Sequence, residues 1–387
     1  MRRVLTTAMP GLDGIRGIAI LIVMFAHFIG DYPAHSTIDF FVQRTLRAGW
    51  YGVDLFFALS GFLITGILIE SREASNYFGA FYMRRVLRIF PLYYSFLLFW
   101  FVAVRFFVAA RGWNVDAIGV DRQAWYWLYV ANWIPLFGDG PGALGHLWSL
   151  AVEEQFYLVW PLVVWLVPGR RLGKLCIAII VIAPVLRGVM VAFHLPPLAI
   201  YELTPTRADS LAFGALVAVA LRDERWLEIA ARVWRGALAL ALVGMAVIVV
   251  YSRGLPNDSP VTQILGFSFL ACAASAAVAG TVIRSAIVSS VGILERKTLR
   301  IFGKYSYALY VLHHPIYSSL LGRLTVFRGG VLLQSRSTYV LLMMFCFGFS
   351  FLLALLSWNL LERPFLKLKD RFIPKSRNRS IGSRGPA

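Results

Sequence analysis

Residues 11–28, GLDGIRGIAILIVMFAHF, lie in an apolar run suited to crossing the ~30 Å hydrocarbon core of a bilayer as a helix. The run carries Arg16 near its start and His27 eleven residues later. At about 100° per residue that separation falls within roughly 20° of three full turns, so both side chains share a face, roughly 16 Å apart along the axis. Neither residue is cheap in hydrocarbon, so each requires partners from elsewhere in the chain.

The rest of the sequence repeats the apolar theme. Of 387 residues, 59% are hydrophobic and only 15% charged, against about 25% charged in a soluble domain; the mean hydropathy is +0.69. Ten spans account for the pattern: 12–31, 50–70, 89–109, 147–167, 172–191, 207–221, 236–252, 261–283, 302–322 and 338–358. The fold class expected is therefore all-α, a polytopic membrane protein. Residues 1–10 are a short cytoplasmic N-terminus, 11–365 one transmembrane domain, and 366–387 a basic, disordered cytoplasmic tail. Asp13 and Arg16 interrupt the first run too early for a cleavable signal peptide, and no Ala-x-Ala site follows.

The net charge of +18 would suggest nucleic acid in a soluble protein. Here topology absorbs it. With both termini cytoplasmic, 27 of the 38 Lys and Arg residues fall inside and 8 outside, the bias of a positive-inside membrane protein. Cys176, Cys272 and Cys346 sit in apolar segments and read as small hydrophobes, with no metal-ligand spacing. The external connection 110–146 contains YWLYVANWIPLF, too short to span. It suits an interfacial or re-entrant helix over an outer cavity, or an aromatic anchor.

Ionisable residues at membrane depth single out the candidate site. Asp54, in GWYGVDLFFALSGFLITG, lies near the level of His27 in an antiparallel hairpin, where its carboxylate can orient the imidazole. His146 and Glu153, in GHLWSLAVEEQFYLVWP, are seven residues apart on one helix face, with Glu154 about 100° away. Arg85 and Arg88, in FYMRRVLRIFPLYY, are neighbours at the cytoplasmic end of the third span, suited either to a phosphorylated ligand or to fixing topology. Arg207 and Asp209 are too close in sequence to face each other, so each pairs with another helix; His313 and His314 either hold the fold or line the same cavity. Gly61 suits close helix packing.

A histidine oriented by an aspartate is a general base for a hydroxyl, and a cytoplasmic Arg pair suits a soluble anionic donor. The same buried groups also serve a proton-coupled transporter or flippase of a polysaccharide intermediate. With no Ser or Cys in a nucleophile motif, direct transfer is the simpler enzymatic scheme.

Taken in order, GLDGIRGIAILIVMFAHF, GWYGVDLFFALSGFLIT, FYMRRVLRIFPLYY, HLWSLAVEEQFYLVWP, PTRADSLAFGALVA and IFGKYSYALYVLHHPI resemble the blocks of the membrane-bound acyltransferase 3 family. That family includes bacterial surface-polysaccharide and lipopolysaccharide O-acetyltransferases. The resemblance implies a multi-pass enzyme of the bacterial inner membrane, with acyl-CoA (acetyl-CoA foremost) as donor and no bound cofactor or metal. Its acceptor would be a hydroxyl of a glycan, glycolipid or sugar-bearing molecule, such as lipopolysaccharide or exopolysaccharide. The family's Arg/Lys-x10-His motif falls on Arg16 and His27, its Arg-x-x-Arg motif on Arg85 and Arg88, and its second-helix aspartate on Asp54. His27 and Asp54 are then the catalytic pair, and Arg16, Arg85 and Arg88 hold the donor. The C-terminal SGNH-type hydrolase domain of some members is not expected here; a polysaccharide-assembly complex or a separate transfer protein would supply any second step.

Overall fold

The computed structural model describes residues 9–29, 36, 43, 48–110, 120–137, 142–287, 292–326 and 335–373, and these contain helices but no β-strand. The long helices are α1 (Pro10–Ile29), α2 (Gly52–Ser71), α3 (Tyr77–Leu98), α4 (Trp148–Leu166) and α5 (Arg170–Ala192) in the first half. The second half supplies α6 (Thr204–Ala220), α7 (Glu224–Tyr251), α8 (Phe267–Ile287), α9 (Lys297–Val326) and α10 (Arg336–Ser357). Seven helical stretches, containing α1, α2, α3, α5, α7, α8 and α10, are long and apolar enough to cross a membrane. The protein is thus a multi-pass, all-α membrane protein. α4, α6 and α9 fall outside that group, and they carry Glu153, Arg207, Asp209, His313 and His314.

Two helix contacts set the frame, and both run through glycine. Gly14 and Gly17 of α1 meet the segment 294–303, where an added Cβ would stand 1.8 Å from the Leu294 carbonyl oxygen and 2.0 Å from that of Leu299. A Cβ at Gly303 would stand 1.9 Å from the Asp13 oxygen. Residues 13–28 of α1 therefore pair in increasing order with 303–317 of α9, and the two helices are parallel. α2 and α6 repeat the arrangement: a Cβ at Gly61 would meet the Leu211 oxygen at 2.0 Å, and one at Gly214 the Ala58 oxygen at 2.0 Å. Small residues permit such backbone approach where hydrocarbon offers no hydrophobic drive between helices. Gly61→Val is expected to force α2 from α6 and cost more than ~3 kcal/mol of stability, the upper end for overpacking. Thermal unfolding of the detergent-solubilised protein measures it, and a wild-type melting curve would contradict the contact.

Two ion pairs cross the interior. Arg207 donates to Asp54 (2.7 Å) and Arg187 to Asp209 (2.9 Å), with all four side chains at most 1% exposed. Arg207 lies 4.4 Å from the centre of the Phe267 ring and Arg187 5.6 Å from it, so one aromatic ring serves two guanidinium groups. Arg187 also donates to the Thr206 carbonyl at 2.5 Å and to Ser268 at 2.7 Å. Arg207 and Asp209, two residues apart, thus tie α6 to α2 and α5 respectively.

The structure differs from the sequence expectation at three places. α3 starts at Tyr77 rather than 89, so Arg84, Arg85 and Arg88 lie well inside the helix rather than at its start. Within 110–146, the described residues form short turns, Gln123–Trp127, Ala131–Phe137 and Gly142–Leu147. Tyr126, Tyr129 and Asn132 there are buried in protein: Tyr93 donates to the Tyr126 carbonyl, and Gln155 to Tyr129 and Asn132. Irregular backbone is tolerated at depth where protein satisfies it. Finally, residues 366–373 are not disordered. α10 runs on through a π-turn (Trp358–Glu362) into the helical turns Arg363–Leu368 and Lys369–Phe372, and Asn76 donates to the Ile373 carbonyl at 3.1 Å. The expected N-terminal Arg2 and Arg3, external Arg44, Arg47, Arg111 and Arg328, and the tail beyond 373 lie outside the described residues.

Candidate active site

The near face of the bundle holds the start of α1, the α2–α3 connection and residues 369–373. A cavity of about 240 Å³ opens among α1, α2, α3, α4 and α9. Its walls are cationic on one side, with Arg16, Arg84, Arg85, Arg88 and Lys369. Arg16 is paired along its own helix with Asp13 at 2.8 Å. Among the described residues, none of Arg84, Arg85, Arg88 and Lys369 has a carboxylate within ion-pair distance. Arg85 lies 5.7 Å from the Phe81 ring centre and 5.8 Å from that of Tyr157, and its buried Nε has no hydrogen-bond partner. Stacking holds the guanidinium in place while leaving donors unsatisfied, a state that favours an incoming anion.

Glu153 and Glu154 line the same cavity. Glu153 accepts from Ser60 at 2.7 Å and from Tyr157 at 3.1 Å, and the two hydroxyl oxygens lie 3.0 Å apart. The two hydroxyls fix the carboxylate against α2. At the deep end stand Ser149 and Tyr310, whose hydroxyls hydrogen-bond each other. Both hydroxyls also reach the His146 carbonyl oxygen, Tyr310 at 2.9 Å and Ser149 at 3.4 Å.

Immediately beyond Tyr310 is a cluster of four histidines. His27 and His313 are linked by Nδ1 to Nε2 at 2.7 Å, and the His314 ring centre is 4.7 Å from that of His27. The His146 ring centre lies 5.0 Å from His314 and 5.5 Å from His313. Hydrogen-bond partners assign the tautomers of the neutral rings. His313 Nδ1 contacts the Leu309 and Tyr310 carbonyl oxygens at 2.9 Å, so it carries the proton and donates. Its Nε2 is then the acceptor for the His27 Nδ1–H, which leaves the lone pair of His27 on Nε2. His146 Nε2 donates to the Val311 carbonyl at 3.2 Å.

This arrangement corrects the expected partner of His27. Asp54 lies on the neighbouring helix, but its Oδ1 accepts from Arg207 and from Ser210 (2.8 Å), and its Oδ2 is buried without a partner. The group that orients His27 is His313. Arg16, Arg85, Arg88, Glu153 and Glu154 come together in the cavity; His27, His146, His313 and His314 come together beyond it; Asp54, Arg207 and Asp209 belong to neither. Among the described residues, no group of three or more His, Cys, Asp or Glu is placed to hold a metal ion. The sequence reading missed Ser60, Ser149, Tyr157, Tyr310 and Lys369. Tyr310 carried a signal, since it is three residues from His313 on one helix face and Ser149 sits in the same block as Glu153. Lys369 carried none.

A bundle of membrane-length helices, with an anion-receptive cavity on one side of a buried histidine cluster, defines a multi-pass membrane protein built around a polar passage. The chain belongs to the acyltransferase domain family, whose match covers residues 9–357. It is similar to the peptidoglycan O-acetyltransferase OatA of Listeria monocytogenes serovar 1/2a, with 26% identity over 92% of this chain and 56% of the relative. It is also similar to the putative peptidoglycan O-acetyltransferase YrhL of Bacillus subtilis, at 27% identity over 79% of this chain and 48% of the relative. A third relative is the O-acetyltransferase OatA of Staphylococcus aureus, at 27% identity over 80% and 50%. The chain spans about half the length of these curated relatives. No solved structure matches it.

Proposed function

We propose that the protein is a membrane O-acyltransferase that moves an acyl group, acetyl foremost, from acyl-CoA to a hydroxyl of a glycan-type acceptor. The observation that carries this reading is the continuity between the cationic cavity and the histidine cluster: Tyr310 lines the first and touches the second. Acyl-CoA would enter from the near face with its phosphates at Arg85 and Arg88 and its thioester pointed toward Ser149 and Tyr310. His27 Nε2 would take the proton of the acceptor hydroxyl, and the oxygen would attack the thioester carbonyl. The carbon–sulfur bond breaks, CoA leaves as thiolate, and the proton held by His27 is returned to solvent or to that sulfur. His313 holds His27 with Nδ1 protonated throughout, the orienting role an acceptor plays beside any base imidazole.

The near face is then the cytoplasmic one. In support, contact-defined directions alternate with helix number. α1 and α9 are parallel, α2 and α6 are parallel, and α4 runs against α3, with Tyr77 on Pro161 and Tyr82 on Leu158. Tyr339, early in α10, donates to the Phe28 carbonyl at the end of α1. Ten crossings with both ends cytoplasmic satisfy every one of these relations, and α4, α6 and α9 are tolerable spans because their polar groups face protein. The inner membrane of a bacterium is the matching location.

Purified protein incubated with radiolabelled acetyl-CoA and glycan acceptors is expected to release CoA in step with labelled product. Movement of acceptor without CoA release would establish a transporter instead. In the same assay R85A/R88A is expected to raise KM for acetyl-CoA by roughly 10–100-fold, from the loss of two charge-assisted contacts. An unchanged KM would leave the two arginines as topology determinants alone.

A further inference from the structure

The C-terminal turns Arg363–Leu368 and Lys369–Phe372 return along α3 and place Lys369 in the wall of the cavity, beside Arg84, Arg85 and Arg88. Asn76, just before α3, holds the far end of this strap through the Ile373 carbonyl. Lys369 is half-buried, while Leu368 and Asp370 on either side are exposed, so the turn forms the rim of the cavity rather than its floor. At about 240 Å³ the cavity is smaller than the ~300–1,000 Å³ that encloses a drug-sized ligand. On this reading the slender pantetheine arm occupies the cavity and the phosphorylated nucleotide stays at its rim.

We propose that Lys369 is a donor-binding residue: its ammonium, delivered by the C-terminal strap, joins Arg84, Arg85 and Arg88 in holding the nucleotide phosphates of the acyl donor. This rests on the acyltransferase reading above and adds to it the group that distinguishes a nucleotide thioester from its pantetheine portion. Two features support it besides proximity. Four cations converge on one opening; Glu153 and Glu154 share the cavity, but among the described residues no carboxylate lies within ion-pair distance of those four, and the buried Arg85 Nε still lacks a partner. Such a concentration of like charge is costly unless an anion joins it.

The test compares two donors, acetyl-CoA and S-acetylpantetheine, which lacks the nucleotide and its phosphates. In K369Q, the preference for acetyl-CoA over S-acetylpantetheine, taken as the ratio of kcat/KM values, is expected to fall about 5–10-fold through KM for acetyl-CoA. K369R is expected to restore most of it. Titration calorimetry with free CoA, which needs no turnover, is expected to show a similar loss of affinity in K369Q. An unchanged donor ratio and unchanged CoA affinity would overturn the proposal, as would an equal loss with both donors, which marks Lys369 as a structural brace. Wild-type protein that binds CoA but transfers from neither donor would overturn the acyltransferase reading. The affinity difference between wild type and K369Q would still decide the role of Lys369.

Discussion

Replacing His27 with alanine is expected to abolish acyl transfer while leaving a folded protein in the membrane. A positioned general base contributes about 10²–10⁴-fold, and the hydrogen bonds leave His27 a lone pair on Nε2 while anchoring its other ring nitrogen to a second imidazole. The imidazole has one anchoring bond, to His313 at 2.7 Å, and His313 is itself fixed by two carbonyl oxygens on its own helix. His313→Phe is therefore expected to lower kcat by ~10–100-fold, because Nδ1 of His27 loses its acceptor and the base loses both orientation and tautomer. KM for the acyl donor should hardly move in either variant, since neither histidine lines the donor cavity. The check is steady-state kinetics on purified protein with acetyl-CoA. Near-normal turnover by H27A would remove it from the role of base, and a kcat loss in H313F matched by a large rise in donor KM would point to collapse of the cavity instead.

The second large effect concerns Asp54 and Arg207. Arg207→Ala is expected to cost about 3–5 kcal/mol, because it leaves the Asp54 carboxylate buried with Ser210 as its remaining hydrogen-bond partner. D54A should be comparably harmful, as it strands a guanidinium that is fully buried between α2 and Phe267. The informative variant is the double D54L/R207M, which removes both charges and keeps volume. It is expected to recover most of the stability and most of the transfer activity. Thermal unfolding and the acetyl-CoA assay on the same preparations separate the alternatives. A double variant that is stable yet inactive would return Asp54 to the catalytic machinery, and an R207A protein as stable as wild type would remove the ion pair from the fold's supports.

Hydropathy made the helices legible: each of the ten expected spans overlaps a helix, and seven of those lie in stretches long and apolar enough to cross a membrane, because lipid demands runs of apolar residues that few other structures require. It also marked which residues matter, since charge at depth is conspicuous. What it left open was azimuth. Asp54 was placed at the right level and turned to the wrong neighbour. Asp54 and Gly61 are seven residues apart and so share a face, and Gly61 packs on the α6 backbone; the glycine had already assigned that face to α6. His27 found its partner 286 residues away, a pairing that only tertiary packing decides. Lys369 is a further case. A short basic segment reads as a solvated tail until a structure shows it folded back against α3.

The parallel seating of α1 on α9 has a consequence for how the molecule is made. Translation delivers α1 first, yet the surfaces that receive Gly14 and Gly17, at Leu294 and Leu299, emerge some 280 residues later. At about 5–20 residues per second the first helix waits roughly 15–55 s in the membrane with its glycine face and His27 uncovered. Nascent chains arrested ahead of α9 will hold that helix without this neighbour. Assembly of the histidine cluster, which needs His313 and His314 of α9, is consequently among the last events of biogenesis.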